Sequence, residues 1–139
     1  MSSDRYLGTW HLIPELSLYA AGTPPQSGTY SITEASGGTL TLRVVWRMPG
    51  DASEHATEFG GRADAVPIPI PHEPGMPDAF TLTRIDAGTL DSAALRDGEQ
   101  VAYARRAVTE DGSLMAVVQE YLTPNGQRVR NFQVYRRGA

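Results

Sequence analysis

The chain contains no cysteine, so disulfide staples and thiolate metal sites are both excluded. It also lacks any run approaching the roughly 18 apolar residues of a membrane-spanning helix. Its first residues, MSSDRYLGTW, hold no apolar stretch long enough for a secretory leader, so a cytoplasmic protein with no membrane partner is expected. Positive charge is not in excess: 12 basic residues against 16 acidic ones leave a formal charge of −4. There is no basic stripe to neutralise phosphates, which argues against a nucleic-acid partner. Phenylalanine is scarce, at three, whereas ten prolines and fourteen glycines fit a turn-rich β protein better than a helical one.

What is present is alternation of apolar and polar residues, the period of a β-strand. Residues 6–13 (YLGTWHLI) alternate and stop at Pro14. A polar, Pro-rich connection follows, with room for one helical turn near residues 15–20. Residues 28–34, 39–48 and 53–62 read as strands, the last with a bend at Gly60-Gly61. Residues 66–77 hold five prolines and can only be an edge strand or a flap, because each proline removes a ladder donor. Residues 79–85, 89–96, 99–109, 113–123 and 128–137 are strands separated by Asp-Ala-Gly, Asp-Gly, Asp-Gly and Pro-Asn-Gly turns, the signature of hairpins. At 139 residues the chain reads as one domain, 1–139: an antiparallel up-and-down barrel of about 8–10 strands.

Motifs for reaction chemistry are missing. No His-x-His or His-x-x-x-His pair marks a metal site. The glycine pairs precede no helix that could hold a phosphate, and no Gly-x-Ser-x-Gly supports a serine nucleophile. Neither metal nor cofactor is expected.

Gly8-Thr9-Trp10, then LIPELSL (residues 12–18), the Asp97-Gly98 and Asp111-Gly112 turns, and a last strand ending Val134-Tyr135-Arg136-Arg137 resemble a bacterial lipocalin-like family of the calycin group. The resemblance implies a β-barrel that binds a small molecule. It also implies that Trp10 sits at the barrel base with Arg136 or Arg137 packed across its ring, a cation–π contact of about 0.5–2 kcal/mol. No leader is expected and no disulfide can form, which departs from the pattern of secreted lipocalins. Haem-binding barrels use a histidine late in the chain, whereas His11, His55 and His72 all lie early.

Candidate site residues follow from which face of each strand turns inward. Leu40, Leu42, Val44, Trp46 and Met48 form an apolar stripe expected inside, with Trp46 able to stack on a ligand. In the late strands, Tyr103, Arg105 and Ala107 share a face, as do Met115, Val117, Gln119 and Tyr121, and Asn131, Gln133 and Tyr135. If these point inward, Arg105 and Tyr103 hold an anionic group, much as fatty-acid-binding proteins hold a carboxylate. The opposite register would put Ala102, Ala104, Arg106 and Val108 inside. The expected ligand wall is Trp46, Phe59, Tyr103, Arg105, Tyr121, Phe132 and Tyr135. A cofactor-independent cyclase or isomerase in the same cavity is the alternative, with Tyr103, Glu120, His55 and Glu58 as acid–base candidates. A homodimer with a filled barrel is a third reading.

Overall fold

The computed structural model describes residues 4–20 and 23–138. Residues 21–22, part of the expected Pro-rich connection, lie outside it, as do the first three residues and the last. The strands are β1 (Gly8–Leu12), β2 (Leu18–Tyr19), β3 (Ser27–Glu34), β4 (Thr39–Arg47), β5 (His55–Arg62), β6 (Ile68–Pro69), β7 (Ala79–Asp86), β8 (Thr89–Arg96), β9 (Glu99–Val108), β10 (Leu114–Leu122) and β11 (Arg128–Arg137). The helical turn expected after β1 is a single 3-10 turn, Pro14–Leu16. Among the described residues no helix is long and apolar enough to cross a membrane.

All eleven strands join one antiparallel sheet in the order β5-β4-β3-β1-β11-β10-β9-β8-β7-β6, with β2 added beside β11. The hairpins follow from turn chemistry: Asp97 and Gly98, at φ +51° and +82°, take the two positive values that a two-residue turn between twisted strands requires.

The sheet curls into a barrel whose ends, β5 and β6, meet without a ladder. At the lower end of this seam Asp64 bridges to Thr83, and the Ala65 N–H donates to the Leu82 carbonyl at 2.8 Å. Higher up the prolines keep it open. The Ile70 N–H faces β7, donating to the Asp78 carbonyl at 3.0 Å. In an extended strand the N–H groups at 67, 69 and 71 would face the other way, toward β5. All three are prolines and have nothing to donate.

Side-chain size divides the interior into a filled base and a hollow upper half. Trp10, Tyr6, Ile32, Leu42, Leu82, Leu90 and Met115 are wholly buried and pack the base. Arg137 lies over the Trp10 ring, 4.2 Å from its centroid. It also donates to the carbonyls of Gly112 at 2.7 Å, Leu7 at 2.9 Å and Arg5. Of the two arginines expected at this position, Arg137 is the one in contact. Moving up the inner face, β8 changes from Leu90 to Ser92 and Ala94, and β9 from Val108 and Arg106 to Ala104 and Ala102. Small side chains leave space that larger ones would fill.

The hairpin turns carry an acid sensitivity. The Asp111 carboxylate accepts from the Ser113 N–H, the Ser113 hydroxyl and the Thr109 hydroxyl at 2.7–3.0 Å, which holds its pKa down at about 2. Asp86, Asp91 and Glu120 are also held below the ordinary carboxylate value. Groups whose folded-state pKa is depressed stabilise the fold above the unfolded-state value, and that contribution is lost as pH falls through the folded one. The urea midpoint should therefore stay level from pH 7 to 5 and drop between about pH 4 and 2. Asp111→Asn, measured across the same range, should show a smaller drop.

Candidate functional site

The hollow upper half is a cavity of about 740 Å³. Its walls come from nearly every strand of the barrel: Leu12 of β1, Gly28 and Tyr30 of β3, Val44 and Trp46 of β4, Phe59 of β5, Phe80 of β7, and Ser92 and Ala94 of β8. They continue through Ala102, Ala104 and Arg106 of β9, Val117 and Gln119 of β10, and Gln133 and Tyr135 of β11. Ile70 and Pro71, from the proline-rich segment, and Thr57 and Glu58, from β5, border it on either side of the seam.

Among the described residues the one cation of this wall is Arg106, only 3% exposed. Its Nε donates to the Tyr30 hydroxyl at 2.6 Å, and its guanidinium lies 5.6 Å from the Tyr30 ring and 5.9 Å from the Phe59 ring. Its Nη1 is buried and finds no hydrogen-bond acceptor among the described residues. No described carboxylate forms a salt bridge with it. A desolvated guanidinium donor without an acceptor is costly, and an anion brought into the cavity would remove that cost.

A chain of polar groups continues round the wall. The Tyr135 hydroxyl donates to Gln133 at 2.7 Å, and Gln133 and Asn131 each donate to the Gln119 carbonyl oxygen at 3.2 Å. Burial, with the neighbouring Tyr19 and Tyr30, pushes the Tyr135 hydroxyl far above its ordinary pKa, while burial pushes Tyr19 up to about 12. Both therefore stay protonated near neutrality and can act as donors or acceptors, not as anions.

Several sequence expectations are corrected by strand register. Arg105 lies outside the barrel, donating to Asp91 from Nε and Nη2, both at 2.8 Å. Tyr103 borders the cavity, but its hydroxyl turns outward and donates to Asp91 at 2.8 Å. Burial alone would raise the Asp91 pKa, but hydrogen bonds from Arg105 and Tyr103 leave it lowered. An outward ion pair cannot clamp a ligand, so the inward arginine is Arg106, as the opposite register required. Phe132, 40% exposed, pairs with Val118 and Leu18 on the outer face. Tyr121, 37% exposed, is not in the cavity wall and borders a minor recess with Glu120 and Arg128. Of the expected ligand wall, Trp46, Phe59, Tyr103 and Tyr135 line the cavity, Tyr103 with its hydroxyl turned away.

The four acid–base candidates do not converge. Glu120 is held on the outer face by Arg128 and Arg130. His55 lies outside the cavity wall, with Nε2 3.0 Å from Asp51 and its ring stacked on Trp46 at 5.6 Å between centroids. Glu58 is exposed at the seam, and Tyr103 is committed to Asp91. No group of three or more metal-ligating side chains occurs among the described residues.

A nearly closed antiparallel barrel, plugged at its base by a tryptophan beneath an arginine and hollow above, defines a calycin-like fold. Among solved structures, a mutant of the fluorescent protein UnaG is similar to this chain, with a TM-score of 0.63. The similarity spans 96% of each chain at 15% sequence identity, so the likeness is one of fold. No protein-family profile matches the chain. No curated protein matches it in sequence.

Proposed function

We propose that the protein binds a small apolar or amphipathic molecule bearing an acidic group, held inside the barrel. The observation that carries this reading is Arg106, a cation in the wall of a 740 Å³ cavity whose buried Nη1 has no acceptor among the described residues. That volume lies within the range of drug-sized ligand sites, which are mostly apolar with a few placed polar groups. Trp46, Phe59, Phe80 and Tyr135 supply the apolar contact. Arg106 supplies the charge, and Gln119 and Gln133 further hydrogen bonds.

The test compares dodecanoate with dodecanol by isothermal titration calorimetry. The wild-type protein should bind the acid at least about tenfold more tightly, a difference of about 1.4 kcal/mol. Arg106→Met should remove that preference while keeping the alcohol's affinity. Equal affinities in the wild type would overturn the anionic part of the proposal. Absence of binding to either, and to an aromatic acid as well, would overturn the whole.

A further inference from the structure

The cavity has two unlike walls that face each other. In barrel order, β8 and β9 lie across from β3 and β4. On the β8–β9 side, Ser92 pairs with Ala104 and Ala94 with Ala102, giving a tile of four short side chains. On the β3–β4 side, Tyr30 pairs with Val44 and Gly28 with Trp46. His55 stacks against Trp46 from the β5 side, at an interplanar angle of 27°. On the other side of Trp46 the cross-strand neighbour is Gly28, which has no side chain. The indole is thus braced by a ring on one flank, while on the other the side chain nearest Gly28 is Leu12.

From these walls, and resting on the binding role proposed above, we infer that the ligand is a flat aromatic carboxylate rather than a flexible fatty acid. A smooth tile opposite a braced indole leaves a slot, and a rigid plate fills a slot without the ordering cost that a flexible chain carries. Offset or edge packing against Trp46 and Tyr30 adds attraction that an alkyl chain cannot match. The acid group turns inward to Arg106. Between Arg106 and Ala102 the strand advances four residues, about 13 Å, space for about four fused rings.

The experiment titrates pyrene-1-carboxylate and hexadecanoate, similar in carbon number but not in shape. The aromatic acid should bind about tenfold or more tightly than hexadecanoate. Ala104→Leu, which roughens the tile, and Trp46→Leu, which removes the platform, should each weaken the aromatic acid about tenfold and hexadecanoate less than about threefold. Two variants on opposite walls guard against one that misfolds, and circular dichroism checks both. If hexadecanoate binds as tightly as the aromatic acid and its binding falls in Arg106→Met, the flat-ligand inference is overturned while anion binding stands. If neither acid binds, both readings fall.

Discussion

Trp10→Ala should destabilise the barrel by about 3–5 kcal/mol, the usual loss for a large aromatic removed from a packed core. The ring is wholly buried and its Nε1 donates to the Tyr6 carbonyl at 3.0 Å. Its removal leaves a void in the buried core, an acceptor without its donor, and Arg137 without its ring. Domains of this kind have only about 5–15 kcal/mol of stability in total, so the variant should unfold at far lower urea, followed by the emission of the remaining Trp46. Arg137→Met should cost less, and the double variant less than the two single losses added together. That coupling, about 0.5–2 kcal/mol, measures the cation–π contact. A Trp10→Ala loss below about 1 kcal/mol would mean that the base does not hold the barrel together.

Arg106→Met should do the reverse, making the ligand-free protein about 1–3 kcal/mol more stable. Methionine fills similar space without a charge, and a buried guanidinium with no salt bridge among the described residues costs more than its ring contacts return. Part of the gain is offset because the Tyr30 hydroxyl loses its donor. The same substitution removes the preference for acidic ligands, so stability and binding should move in opposite directions. A lower melting temperature in Arg106→Met would show instead that the guanidinium is well satisfied where it lies.

The barrel was legible because its signals are local. Alternation marks strands, Asp-Gly and Asn-Gly mark turns, and Trp10 marks the base. The edge character of residues 66–77 followed from proline alone. Facing was harder, because a single extra residue reverses it. Arg96 faces Glu99 and Leu95 faces Gln100, but a bulge shifts the register so that Ala94 faces Ala102. Counted from the Asp97-Gly98 turn without the bulge, Ala94 would face Val101, and the inward set of β9 would be displaced by one. One available signal was chemical: Asp91 matches Arg105 and Tyr103 as an outer-face partner, which leaves Arg106 for the interior. Phe132 misled because hydrophobicity does not by itself decide burial. The slot between β3–β4 and β8–β9 depends on strands distant in sequence meeting across the barrel, which no local pattern encodes.

The proline-lined side of the seam has a consequence beyond the cavity. An unpaired strand edge is a template on which another polypeptide can add, the first step toward fibrils and strand-swapped aggregates. In this barrel the edge at Pro67, Pro69 and Pro71 presents no N–H groups, so an incoming strand would find acceptors but no donors. The residues that keep the wall from zipping shut also make this edge of the seam a poor nucleus for amyloid-like growth.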